Sequence, residues 1–244
     1  MIEVILFLIG LVVASFIYTT TERNTDKSKK TYFSHCNKCQ KRLFWYELIP
    51  IFSYLIQLGK CRKCQVIIPI IYPVFELLFG VLFYLFYRYF GFNWQLIWFY
   101  ALFSLLFYIS YYDILTQEIS EKTIVVLLTI ILVEQLISKS IGLNSLYGAL
   151  MSGFIIFLFN YFSKGKAMGF GDVELALVLG FWLKLKFSLI FILIAFILGG
   201  IYGAIILVLK FANLKDKIAF VPFMTISSLI VYFWGDIIHN FFFF

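Results

Sequence analysis

Eight apolar runs govern what this chain can become: about residues 2–20, 67–87, 94–112, 123–138, 143–162, 173–185, 187–209 and 219–238. A helix needs roughly 20 apolar residues to cross a hydrocarbon core about 30 Å thick. In lipid only helices and closed barrels satisfy their own backbone. These runs are continuous rather than alternating, which selects helices. Composition agrees: 63% of residues are hydrophobic and 14% are charged, against roughly 25% charged in a typical soluble domain. The expected fold class is all-α, a polytopic membrane protein with about eight transmembrane helices. The sixth run is short for a span; it is either tilted, partly buried, or begins within "GFGD" at 169–172. The first run has no basic segment before it and no small-residue cleavage site after it, so a retained anchor is expected rather than a signal peptide.

A net charge of +7 would raise nucleic acid as a partner for a soluble protein. Here it reads as the excess of Lys and Arg that marks cytoplasmic loops, and no nucleic-acid partner is expected. The polar segment 21–66 holds ten of the 20 Lys and Arg. With it in the cytoplasm, alternation adds Lys122, Lys164, Lys166, Lys210, Lys215 and Lys217 to that side. Arg88, Lys139, Lys184 and Lys186 remain outside, a split of 16 to 4. Both termini then lie outside. The expected organisation is a first transmembrane helix (1–20), a cytoplasmic four-cysteine domain (21–66) and a transmembrane bundle (67–244). No internal repeat is evident at this level.

All four cysteines fall in that loop, as "CNKC" at 36–39 and "CRKC" at 61–64. Two C-x2-C knuckles can place Cys36, Cys39, Cys61 and Cys64 at the corners of a tetrahedron, the geometry zinc takes. Disulfides and free thiols are the alternatives, and a reducing cytoplasm disfavours disulfides. Neighbouring lysines would favour the thiolates. Four sulfur ligands leave no open position, so Zn2+ is expected to be structural and to supply folding energy to a loop with little core. His35 is expected to be a bystander.

The carboxylates ask for another explanation. Asp113 ends the third run in "YYDILTQEIS" and Asp172 opens the sixth in "GFGDVELAL". By the alternation above, both lie at the cytoplasmic face. Two carboxyl groups in one site can share a proton, one acting as base on water and the other as acid on a substrate carbonyl. Asp172 near a helix N-terminus is expected to be the anion, and Asp113 near a helix C-terminus the protonated partner. Gly169 and Gly171 are expected to supply positive φ or a close backbone approach. The competing reading makes both aspartates interfacial caps.

Through these residues and their order, the sequence resembles the type IV prepilin peptidases, membrane aspartic proteases. The resemblance rests on the paired-cysteine stretch 36–64, "YPVFELLFG" at 72–80, "YYDILTQEIS" at 111–120, "GFGDVELA" at 169–176 and "AFVPFM" at 219–224. Two departures stand out. Ile119-Ser120-Glu121 occupies the place of a frequent Ile-Pro-Asp, and Glu174 that of a frequent lysine. Glu174 adds negative charge beside Asp172, or helps to attract a basic leader. The resemblance implies an endopeptidase with Asp113 and Asp172 as catalytic residues. Its substrates would be prepilin or pseudopilin-like proteins, cut after a glycine at the cytoplasmic face of a bacterial inner membrane. It also implies methylation of the new N-terminus with S-adenosylmethionine, although no glycine-rich cofactor loop is visible.

The resemblance also places Glu76, inside the second run, in a family motif. A buried ionisable group in lipid is a functional candidate; the alternative is a structural hydrogen bond to a neighbouring helix. Glu47 matches an acidic position tied to methyl transfer, or else is solvated. Tyr111 and Tyr112 flank Asp113 as hydrogen-bond partners or as interfacial anchors. Glu134 is expected to snorkel or pair, and Asp236 and His239 to be solvated. Two other functions remain open: another intramembrane protease with a paired "YD" and "GxGD", and a transporter or scaffold with a zinc-bound loop. A transporter would show broken helices with polar residues at mid-membrane, whereas these carboxylates lie at one face.

Overall fold

A computed structural model describes residues 1–25, 34–36, 38–166, 168–210 and 218–243. Lys27, Lys29, Lys30, Lys215, Lys217 and the last residue of the closing "FFFF" lie outside the described residues. Eight α-helices follow in chain order: α1 (Ile2–Thr25), the short α2 (Phe52–Ile56), α3 (Ile71–Phe90), α4 (Trp94–Thr116), α5 (Glu121–Ile137), α6 (Leu143–Ser163), α7 (Phe170–Val208) and α8 (Val221–Phe243). A single 3-10 turn covers Trp45–Glu47. Among the described residues there is no strand beyond two isolated bridges, His35 with Arg42 and Lys60 with Ile67. Among the described residues six helices are long and apolar enough to cross a membrane, α7 among them; α5, with 17 residues, falls just short.

The chain forms two compact units, Met1–Ser104 and Leu105–Phe244, with α4 contributing to both. In the first, α1 and α3 run antiparallel. Glu3 meets Arg88 at one end, 3.3 Å apart, and the Tyr18 ring meets Tyr72 edge-on towards the other. Between them Gly10 and Gly80 touch: a Cβ on Gly10 would lie 2.7 Å from the Phe79 carbonyl oxygen. In lipid there is no hydrophobic drive between helices, so small residues that bring backbones together are what hold them.

The same device builds the second unit. Gly148, Ser152 and Gly153 of α6 face Ala176, Leu177 and Gly180 of α7, and a Cβ on either Gly148 or Gly180 would strike the other helix. Ser152 Oγ also donates to the Ala176 carbonyl, 2.8 Å.

The 39 residues of α7 would reach about 58 Å if straight at 1.5 Å per residue, roughly twice a hydrocarbon core. They do not run straight. Lys184 has φ 66° and ψ 170°, a break inside the helix. Before it, α7 runs against α6, Gly180 opposite Gly148. After it, the chain returns: Ser188 reaches Met151 and Phe196 packs on Phe159. The second arm then lies against α8, with Ser227 bonded to the Phe191 carbonyl and Phe220 on Phe196. These two arms are the sixth and seventh apolar runs, so the long helical segments among the described residues, the short α2 apart, number eight. The break removes the helical partner of the Phe181 carbonyl. Buried Gln135 of α5 takes its place, donating Nε2 to that carbonyl at 3.1 Å and accepting from Ser145 Oγ at 3.2 Å.

Candidate functional site

Asp113 sits one turn before the end of α4 and Asp172 in the first turn of α7, both buried at 5% and 9% exposure. Each carboxylate takes a backbone N–H. Asp172 Oδ2 accepts from Gly169 at 2.8 Å. Asp113 Oδ2 accepts from Val221, the first residue of α8, at 3.2 Å. The two carboxyl groups are close enough to act on each other electrostatically. α4 ends, and α7 and α8 begin, at the same end of this unit.

The expected asymmetry between the aspartates changes here. Asp113 does lie near a helix C-terminus, its own, but its carboxylate meets the N-terminus of α8. Both carboxylates thus face a positive helix end. Sequence reading missed the α8 contact because 108 residues separate its partners. Pro222, at the second position of α8, was the available signal for a helix start.

Neither Gly169 nor Gly171 has positive φ, and Gly171 acts by space. Gly169 has φ −77°, and the described glycines with positive φ are Gly59, Gly91 and Gly165. A Cβ on Gly171 would lie 3.0 Å from Ile119 Cβ, in the connection that follows α4. Gly171 therefore lets α7 start against the segment that carries Asp113. Asn160 Nδ2 holds the approach to "GFGD" by donating to the Met168 carbonyl at 2.8 Å. One turn before Asp113, the buried Ser110 and Thr225 hydroxyls bond at 2.8 Å and tie α4 to α8. Neither contact was expected from sequence. Glu174 is half-buried and, two residues from Asp172, points to a different side of the helix. Tyr111 and Tyr112 stack on Phe107 and Tyr108, one turn back.

A second cluster lies in the first unit. The sulfurs of Cys36, Cys39, Cys61 and Cys64 all fall within 4.8 Å of one another. A tetrahedron of sulfurs about 2.3 Å from a zinc has edges of about 3.8 Å; Cys36 and Cys64 Sγ are 3.7 Å apart. The cluster could hold a metal ion, and the donor set fits zinc. The knuckles repeat one design, a local duplication that the sequence reading did not find. Cys36 N–H donates to Lys41 O and Gln40 N–H to Cys36 O, both at 3.0 Å. Cys61 N–H donates to Val66 O and Gln65 N–H to Cys61 O, both at 2.9 Å. Gln40 and Gln65 share the same left-handed turn, φ 55° and 57°.

Backbone amides, rather than lysines, favour the first thiolate: the Cys64 and Lys63 N–H groups hold the Cys61 thiol down at about 6. At Cys64 the Val66 N–H acts in the same direction, but burial and the neighbouring sulfurs outweigh it and hold that thiol up at about 11. His35 lies outside the cluster and pairs its backbone with Arg42.

Glu47 is not solvated. It is 6% exposed and accepts from the Phe44 N–H at 3.0 Å and Lys41 Nζ at 3.1 Å. Burial works against its charge, but the Phe44 N–H, then Lys41 and Arg62, hold its carboxyl below the usual range. Glu76 bonds to the loop: its Oε2 accepts the Ile51 N–H at 2.8 Å, and Ser15 of α1 also bonds to it. At the far end of the second unit, Glu134 feels the charge of Lys184, and exposed Asp236 pairs with Lys186.

Comparison with known proteins identifies the family. Residues 8–90 match the bacterial peptidase A24 N-terminal domain, and residues 100–204 match the type IV leader peptidase family. A prepilin leader peptidase/N-methyltransferase of Bacillus subtilis is 31% identical over 242 residues, 98% of this chain and 96% of its own length. Proteins of the same description from Legionella pneumophila and Pseudomonas aeruginosa are 31% and 30% identical, over 90% and 83% of this chain and 79% and 72% of theirs. No solved structure matches. The first match covers the four-cysteine segment and the second both aspartates, and the relatives span nearly the whole molecule; the chain belongs to the type IV leader peptidase family.

Proposed function

We propose that Asp113 and Asp172 are the catalytic dyad of a leader peptidase. Its substrates are prepilin or pseudopilin-like proteins, which it cuts at the cytoplasmic face of a bacterial inner membrane. The observation that carries this reading is the meeting of two buried carboxyl groups at one end of the second unit, each tethered by a single backbone N–H. The excess of Lys and Arg on the loops at that end supports a cytoplasmic orientation. In this reading one carboxylate takes a proton from water as its oxygen attacks the scissile carbonyl carbon. The other, protonated, gives its proton to the carbonyl oxygen. The tetrahedral diol then collapses, the C–N bond breaks, and the leaving amine receives a proton from the dyad. No acyl-enzyme forms. A helix N-terminus at each carboxyl group fixes its position and stabilises whichever of the two is the anion.

The four-cysteine segment within 21–66 would hold a structural Zn2+ through Cys36, Cys39, Cys61 and Cys64, separate from the peptidase bundle of 67–244. The names of the relatives support a second step, methylation of the freed amine. S-adenosylmethionine would supply the electrophilic methyl group, and no residue here is assigned to its site. The deciding experiment incubates the purified enzyme in proteoliposomes with a prepilin-like substrate and S-adenosylmethionine and reads the products by mass spectrometry. Leader loss in the wild type and its absence in Asp113→Asn and Asp172→Asn are expected. Cleavage at the wild-type rate in either variant would overturn the dyad. A product heavier by one methyl group would establish the second activity.

A further inference from the structure

Part of the loop between α1 and α3 lies alongside α1. Trp45, Leu48, Ile49 and Pro50 line an open groove of about 390 Å3 together with Val12, Ser15, Phe16 and Thr19 of α1. Those α1 residues belong to the apolar run that crosses the membrane. Val12 lies about 12 Å along the axis from Thr20, where that run ends, at 1.5 Å per residue. The loop's backbone is also fastened at depth. The Ile51 N–H donates to Glu76, five residues inside α3, at 2.8 Å. Ile51 has φ 60° and ψ −54°, outside helix and strand. An irregular backbone at membrane depth persists only where its polar groups find protein partners, and the Glu76 carboxylate is such a partner.

What this segment turns outward is apolar. Trp45 is 77% exposed, Ile56 70% and Leu58 84%, with Phe44, Phe52 and Leu55 also exposed. Exposed Lys38, Lys60, Arg62 and Lys63 stand on the two knuckles. Aromatic and aliphatic side chains beside a basic rim are the pattern of an element lying in the membrane interface. The segment lies in the connection between two spanning helices and lines a groove with one of them, so the bilayer is the surface at hand for it.

We propose that residues 44–58 form a re-entrant element inserted into the leaflet on the loop's side. Its occupant is lipid, with acyl chains against Trp45, Leu55 and Ile56 and anionic headgroups at the knuckle lysines. Glu76 positions this element and is not itself a reacting group.

The test uses the full-length protein in vesicles of phosphatidylcholine and phosphatidylglycerol. Wild-type and Trp45→Phe proteins are compared in vesicles with brominated acyl chains and with iodide in the water. The emission lost on substitution is expected to be the part quenched by bromine. If the lost part is quenched by iodide and not by bromine, the segment lies in water and the proposal fails. A photoreactive benzoylphenylalanine at Ile56 gives an independent reading. Lipid adducts are expected; adducts confined to a second copy of the chain or to an added prepilin-like peptide would make this face a protein interface and overturn the proposal.

Discussion

Asp113 accepts the Val221 N–H at 3.2 Å, so a carboxylate at the end of α4 caps the start of α8. The residue thus has a capping role beside the catalytic one proposed for it, and the two can be separated. Asparagine keeps an acceptor oxygen but loses the acid, and alanine loses both. Asp113→Asn should leave thermal stability close to wild type and lower leader cleavage by about 10²–10⁴-fold. Asp113→Ala should lose the same activity and also about 1 kcal/mol of stability, the usual worth of an N-terminal cap. Cleavage kinetics beside thermal melts in one detergent check the split. If only stability moves, the aspartate is a cap and nothing more.

Gly171 is a spacing residue. A Cβ there meets Ile119 at 3.0–3.3 Å, so Gly171→Ala must push the start of α7 away from the segment after Asp113. Displacement of a reacting group by about 1 Å can cost about 10²-fold, and a kcat loss of roughly 10–10²-fold is expected here. Trimming the obstacle with Ile119→Ala in the same protein should return most of it. A double variant no better than the single one would show that Gly171 serves another need.

Legibility in the sequence followed range. The eight apolar runs anticipated the helices, including two separate segments on either side of Lys184, because continuous hydrophobicity is a local property. "WLKLKF" carries charge but no glycine or proline, so the shape of the break was not readable. The cysteine cluster was legible because its ligand spacing is local twice over. Glu76 stayed ambiguous because its partner is a backbone N–H 25 residues away, and a backbone group leaves no trace in a residue alphabet. The same holds for Asp113 and α8. Glu47 stayed open between a part in methyl transfer and a solvated charge because the turn that buries it exists only once the knuckles have folded.

Metal removal gives a third expectation. Purified protein should carry one zinc per chain, measured by elemental analysis. Cys61→Ser should abolish most of that content, since each structural ligand is needed to close the tetrahedron. Without metal the knuckles lose the energy that folds them, so limited trypsin should nick at Lys60 and Lys63 far faster than in the zinc-loaded protein. Full zinc content in Cys61→Ser would remove that cysteine from the ligand set.

Glu47 sets a pH dependence within the loop. Its folded pKa lies below the ordinary value of 4.5. Its stabilisation is therefore fully present above that value and is lost as pH falls through the lower folded value. A buried hydrogen-bonded charge of this kind is worth roughly 1–3 kcal/mol. Hydrogen exchange at the Phe44 amide, which donates to Glu47, should speed up on acidification beyond the intrinsic chemistry of exchange. Glu47→Gln should exchange faster than wild type at neutral pH and show no such extra acid dependence. An unchanged rate in Glu47→Gln would mean that the carboxylate does not hold the turn.

Lys184 carries backbone strain within α7. At φ 66° and ψ 170° it occupies a region open almost only to glycine, at a cost of about 1–3 kcal/mol for other residues. The break persists because both arms of α7 are packed, one on α6 and one on α8, and because Gln135 satisfies the Phe181 carbonyl that the break exposes. Lys184→Gly removes the steric cost but widens the unfolded ensemble, so a net gain of about 1 kcal/mol is expected. Lys184→Val, with a branched Cβ, should be destabilised by a similar amount or more. Thermal melts of the three proteins in the same detergent give the order Gly, Lys, Val from most to least stable. If Val melts at or above Lys, position 184 is not strained, and the reversal of α7 must be enforced by the seam of Gly148 and Gly180 alone.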